Sequence, residues 1–88
     1  MIIYDEAKRL VTLQARGLDM ADAGTVFDHA LLTIDDLRYD YGEDRFMTVG
    51  YLEDRMVIVV WTWRGASRRI ISLRKANERE QEAYRPRL

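Results

Sequence analysis

The chain has 88 residues, 48% of them hydrophobic and 33% charged, with one proline and no cysteine. That composition specifies one globular domain, 1–88, too short for two cores. It excludes a disulfide scaffold, a thiolate metal site and a cysteine nucleophile. The net charge of −1 hides a split: residues 1–44 carry four bases against ten acids, and residues 45–88 carry ten bases against five acids.

Ile2 to Tyr4 reads as a short first strand or an extended arm. Asp5 is an N-cap candidate and Gly17 a C-cap candidate, so the spacing of Ala7, Leu10 and Val11 predicts a helix over 5–16. Asp19 starts a second, shorter helix ending near Asp28, with Met20, Ala23, Val26 and Phe27 on its apolar side. Leu31 to Leu37 reads as a strand with Leu31, Thr33, Asp35 and Leu37 on one face, followed by a polar loop from Arg38 to Asp44.

The remainder reads as an antiparallel meander. Arg45 to Leu52 alternates, with Phe46, Thr48 and Leu52 on one side and Met47, Val49 and Tyr51 on the other. Glu53-Asp54 is a two-residue hairpin loop. Met56 to Trp63, nearly all β-branched and aromatic, is a central strand covered on both faces. Gly65-Ala66-Ser67 turns the chain into Arg68 to Arg74. There Ile71 and Leu73 face the core, and Arg68, Ile70, Ser72 and Arg74 share the opposite face. Asn77-Glu78-Arg79-Glu80 has the form of a capping box and opens a polar last helix that Pro86 stops. The fold class is α+β: two N-terminal helices, a four-stranded, largely antiparallel sheet and a C-terminal helix, with the helices on one sheet face.

Nine of the ten bases in 45–88 are arginine, the side chain best suited to bidentate phosphate binding, so the Arg-rich half points to an anionic partner, nucleic acid first. Arg64, Arg68 and Arg74 could line one concave sheet face, with Trp61 or Trp63 available to stack on a base, and Lys75 and Arg79 at the entrance to the last helix. The single histidine, His29, and the two serines, Ser67 and Ser72, make a Ser-His-Asp triad a remote reading. The acids Asp35, Asp36, Asp40, Glu43 and Asp44 lack calcium-loop spacing, so a solvated loop is favoured over a metal site. No apolar run is long enough to span a membrane and the N-terminus has no signal-peptide pattern, so a cytoplasmic location is expected.

Several segments carry a family resemblance: Tyr4-Asp5-Glu6-Ala7-Lys8, Ala23 to Asp28, Tyr41 to Thr48 with Gly50, and Thr62-Trp63-Arg64-Gly65. Arg69-Ile70-Ile71-Ser72-Leu73-Arg74-Lys75-Ala76, then Glu80 and Tyr84, continue it. Together they resemble the BrnT family of bacterial toxins, within the broader RelE-like ribonuclease fold. The resemblance implies a metal-independent endoribonuclease with no cofactor, which inhibits translation by cutting RNA through attack of a ribose 2′-hydroxyl. It also implies a small BrnA-like antitoxin, joined in a hetero-oligomer (2:2) that reaches operator DNA only through the antitoxin.

On that reading Arg64 and Arg74 hold the scissile phosphate, and Glu43 or Glu80 is a base. Tyr84 is an acid or a stacking surface, and Lys8, Arg16, Arg68, Lys75 and Trp63 bind RNA. Blander readings stand beside these: Glu43 as an ion pair to Arg45, Glu80 as the capping box, Tyr84 as a core contact. The chain departs from the family where Asn-x-x-Lys-His-Gly is usual and Thr12-Leu13-Gln14-Ala15-Arg16-Gly17 stands instead. An arginine does not readily shuttle protons, so the alternative is a catalytically weakened module that only binds its antitoxin.

Overall fold

The computed structural model describes residues 1–30 and 32–87, with no account of the side chain of Arg87. Strand β1 (Ile2–Ile3) pairs in parallel with a later strand, opposite Arg68 and Arg69, which settles the first segment as a strand and makes the sheet mixed. Helix α1 spans Glu6–Arg16. The Asp5 carboxylate accepts from the Ala7 and Lys8 amides at its start, and Gly17, at φ 67°, donates to the Leu13 carbonyl at its end.

The second helix is split. A 3₁₀ turn, Met20–Asp22, precedes helix α2, Ala23–Asp28. Asp19 caps the turn through the Ala21 amide while its carboxylate also holds Arg9 of α1, and the Asp22 amide bonds back three residues to Asp19. This ties the entry to α2 to the flank of α1.

The sheet continues as β2 (Leu32–Asp35), β3 (Phe46–Leu52), β4 (Arg55–Arg64) and β5 (Ser67–Lys75), in the spatial order β1-β5-β4-β3-β2. Strand β2 stops at Asp35 rather than Leu37, and its expected first residue, Leu31, lies outside the described residues. Asp36 leaves the strand because its carboxylate turns inward: Arg38 donates to both of its oxygens and the Tyr41 hydroxyl to one. So Asp36 is buried and paired, not part of a solvated acidic loop.

Strand β4 is central and buried on both faces from Met56 to Thr62, as its composition predicts. The β3–β4 turn has two residues, Glu53 and Asp54, both at positive φ (51° and 66°), the geometry that matches the right-handed twist of a hairpin.

Two apolar clusters lie on the two faces of the sheet. One joins Leu18, Met20, Ala23 and Val26 to Val57, Val59, Trp61, Ile70 and Leu73. The other joins Met47, Val49, Ile58, Val60 and Ala76 to Tyr84 of the last helix, α3 (Glu78–Tyr84). The helices therefore do not share one face. α2 covers the first face and α3 the second, because β4 is apolar on both sides and each side needs a cover. The alternation expected for β3 holds, with Phe46 and Leu52 in the first cluster and Met47, Val49 and Tyr51 in the second.

Strand β5 does not alternate throughout. Val60 pairs with Ser72 but Trp61 pairs with Ile70, so Ile71 has no opposite residue and forms a β-bulge. The bulge exchanges faces along the strand. Arg68 and Ile70 lie on the α2 face with Leu73, while Arg69, Ser72 and Arg74 lie on the α3 face; Ile71 packs against the second cluster. The grouping of Arg68, Ile70, Ser72 and Arg74 on one face is thereby corrected.

Candidate active site

The bulge decides which basic side chains meet. On the α3 face, Arg69 of β5 stands beside Arg64 at the end of β4, opposite Ser67 in the tight β4–β5 hairpin. The loop entering β3 brings Glu43 and Arg45, and the N-terminal end of α1 brings its cap Asp5 and, in its first turn, Lys8. These residues line a cavity of about 340 Å³ floored by Ile70 and Ile71. Glu43 sits between two guanidinium groups: Arg64 donates to one oxygen and Arg45 to the other, both at 3.0 Å. Those hydrogen bonds, Arg45's first and then Arg64's, hold its carboxyl below the usual range. The expected Glu43–Arg45 pair is present, and Arg64 is added to it.

Lys8 is different in kind. Lys8 is an exposed residue at the cleft wall; desolvation of its ammonium there, then the charges of Arg45 and Arg69, lower its affinity for its proton, and Asp5 opposes them. Among the described residues no carboxylate lies within ion-pair distance of its amine.

Arg74, Glu80 and Tyr84 gather elsewhere. Arg74 faces Ile58 across the ladder, six residues along β4 from Arg64, which places the two backbones about 20 Å apart. They cannot grip one phosphate. Arg74 instead makes a bidentate pair with Glu80, at 2.7 and 2.9 Å, in a second cavity of about 430 Å³ that includes Arg38, Met47 and Tyr84. The pair with Arg74 holds the Glu80 carboxyl below its usual range. Glu80 also accepts from the Asn77 amide, which completes the capping box, and Tyr84 packs against the second apolar cluster.

The remaining expected RNA contacts divide two ways. Arg16 and Lys75 line a third cavity of about 380 Å³ with Arg74. Arg16 donates to the Leu73 carbonyl at 2.9 Å, satisfying a backbone acceptor on the stretch of β5 that β1 leaves unpaired. Arg68 and Trp63 lie on the opposite sheet face. The Arg68 guanidinium sits 4.5 Å from the Phe27 ring centre, 5.1 Å from Trp61 and 5.2 Å from Trp63. This stack closes the end of the first core, so the structure does not place Arg68 among the arginines of the cleft.

Two arginines of the cleft, Arg45 and Arg69, were not among the expected site residues. Arg45 sits one residue before β3, and Arg69 reaches the cleft face only because of the bulge two residues on. The signal available in the sequence was the arginine excess itself. Among the described residues, no group of three or more His, Asp or Glu side chains is placed to hold a metal ion, and no helix is long and apolar enough to cross a membrane.

Residues 4–80 match the family model described as the ribonuclease toxin BrnT of type II toxin-antitoxin systems. That span holds both N-terminal helices, strands β2 to β5 and the Arg74–Glu80 pair. No curated protein matches the chain. With its matched segment running through every element that lines the basic cleft, the chain belongs to the family of BrnT ribonuclease toxins of type II toxin-antitoxin systems.

Proposed function

We propose that the chain is a metal-independent endoribonuclease that cuts RNA by attack of a ribose 2′-hydroxyl on the adjacent phosphate, and so inhibits translation in the cytoplasm. The observation that carries this reading is the cleft in which Arg45, Arg64 and Arg69 converge beside Lys8 and Glu43. Three permanent cations suit the charge that develops on phosphorus in such a step. Arg64 is assigned to the scissile phosphate and Glu43 to the proton of the attacking hydroxyl.

Arg74, too distant for the same phosphate, is assigned with Lys75 and Arg16 to the flanking RNA backbone. Glu80 then acts as the internal counter-ion that Arg74 releases when RNA binds, and Tyr84 as a stacking surface at its edge. Arg16, where the family usually has histidine, is tied to the Leu73 carbonyl and lies outside the Arg64 cleft. Its substitution leaves the cleft's charges in place, which favours an active enzyme over a weakened module.

The partner is a BrnA-like antitoxin in a 2:2 complex that reaches operator DNA through the antitoxin. Helix α1 leaves Leu10, Val11 and Leu13 in solvent beside Lys8 and Arg16, a surface on which an acidic, amphipathic segment would cover both apolar and basic groups.

The test is cleavage of a long RNA by the purified chain in excess EDTA, with Arg64→Ala alongside. Cleavage is expected, and the variant should lose at least 100-fold, the scale of one lost transition-state donor. Activity that vanishes in EDTA and returns with Mg²⁺ overturns the metal-independent mechanism. A purified chain that binds antitoxin but neither cuts RNA nor arrests growth establishes the interaction module instead.

A further inference from the structure

We propose that Lys8 is the general acid of the cleft, its ammonium group delivering the proton that the departing 5′-oxygen takes up. The inference rests on the ribonuclease reading above and assigns a step that reading leaves open. Breaking the phosphorus–O5′ bond releases an alkoxide, which needs a proton as it leaves. His29 is not available, since it closes the C-terminus of α2, which packs on the other face of the sheet. Tyr84 lies in the separate cavity with Arg74.

Within the cleft, the guanidinium groups of Arg45, Arg64 and Arg69 keep their protons at any working pH. Glu43 has both oxygens engaged by arginines and is an acceptor, not a donor. That leaves Lys8. Its position is fixed locally: the Asp5 carboxylate caps α1 and accepts from the Lys8 amide, which sets this residue in the first turn, on the wall of the cleft. The positive end of the helix dipole disfavours an ammonium there. Arg16 on the same helix, Arg45 before β3 and Arg69 on β5 all disfavour it as well, and of the charges acting on it Asp5 alone favours it. Arg64 and Glu43, the other charged groups of the cleft wall, are occupied with each other.

The step balances. The O2′–phosphorus bond forms as the phosphorus–O5′ bond breaks. The 2′-hydroxyl proton goes to Glu43, and a Lys8 proton goes to O5′. The products are a 2′,3′-cyclic phosphate and a 5′-hydroxyl end, and water restores both protonation states.

The experiment compares the parent chain with Lys8→Arg, which keeps the charge but cannot give up its proton. Two substrates are used: an oligoribonucleotide containing a linkage the parent cuts, and the same oligonucleotide with sulfur in place of the bridging 5′-oxygen there. A thiolate leaves without protonation. Lys8→Arg should bind the ordinary RNA within about 3-fold of the parent and cut it about 10²–10⁴-fold more slowly. It should cut the sulfur substrate within about 10-fold of the parent's rate. The parent's rate should fall at alkaline pH along a limb centred below 10.5, the ordinary lysine value, and Lys8→Arg should lack that limb.

An independent readout is the nitrogen NMR titration of the parent, simple to assign because Lys8 and Lys75 are the chain's two lysines. An equal deficit on both substrates, a parent-like alkaline limb in Lys8→Arg, or a Lys8 amine titrating at or above 10.5 each overturns the assignment. With an active parent, those results leave the ribonuclease reading standing. A parent that cuts neither substrate overturns both.

Discussion

Replacing Arg68 should destabilise the fold rather than weaken RNA binding. Its guanidinium lies over Phe27, Trp61 and Trp63 at 4.5, 5.1 and 5.2 Å, and its Nε is buried without a hydrogen-bond partner. A cation over an aromatic ring contributes roughly 0.5–1 kcal/mol when exposed and about 2 kcal/mol when desolvated; three rings sharing one cation do not triple that. The methylene stem covers ring surface at about 0.8 kcal/mol per buried CH₂. Against these gains, the unpartnered Nε costs on the order of 1 kcal/mol.

Arg68→Ala therefore loses about 1–2 kcal/mol in balance, a fall in Tm of roughly 4–16 °C for a domain of this size. Arg68→Met keeps the stem and removes the unpartnered nitrogen, so it should lose about half as much or less. Urea unfolding followed by tryptophan fluorescence measures both, with RNA affinity taken at a urea concentration where each variant is fully folded. An Arg68→Ala chain as stable as the parent, or a folded one with RNA affinity lowered 10-fold, refutes the reasoning and returns Arg68 to the phosphate surface.

At Gly50 the sheet lies close against α2. A Cβ built there would lie 3.0 Å from Val26 Cγ1 and 3.5 Å from the Val26 carbonyl oxygen. Gly50→Ala should cost about 1–3 kcal/mol of unfolding free energy, and adding Val26→Ala should cost less than it does in the parent, an interaction that a double-mutant cycle measures.

Asp36 sets an acid limb of stability. Arg38's hydrogen bonds, with help from Tyr41, bring its carboxyl down to about 2 against the opposing effect of burial. The unfolded value is about 3.9, so the folded state is favoured above about pH 4 and loses that advantage as pH falls toward 2. The Asp36 side chain has no exposed surface but Arg38 is half exposed, so screening trims the gain to on the order of 1–2 kcal/mol. Denaturation midpoints of the parent and Asp36→Asn between pH 2 and 6 test this; parallel curves would contradict it.

What the sequence determined by itself about this protein was local. The Asp5 and Gly17 caps, the Asn77–Glu80 capping box, the alternation of β3 and the doubly apolar β4 were legible because each depends on residues within a few positions of one another. The family resemblance was legible for the same reason, being carried by short segments in order. Tertiary structure decided the rest. One unpaired residue, Ile71, exchanges the faces of β5, moves Arg68 into an aromatic stack and turns Arg69 into the cleft. Such a bulge leaves every side chain in place along the chain and changes only the register across it, and pairing register belongs to two strands rather than to either sequence alone. The division of the expected site follows from the same cause. Arg64 and Arg74 share a sheet face, but the ladder between β4 and β5 sets them about 20 Å apart, a distance that only the pairing of the two strands fixes.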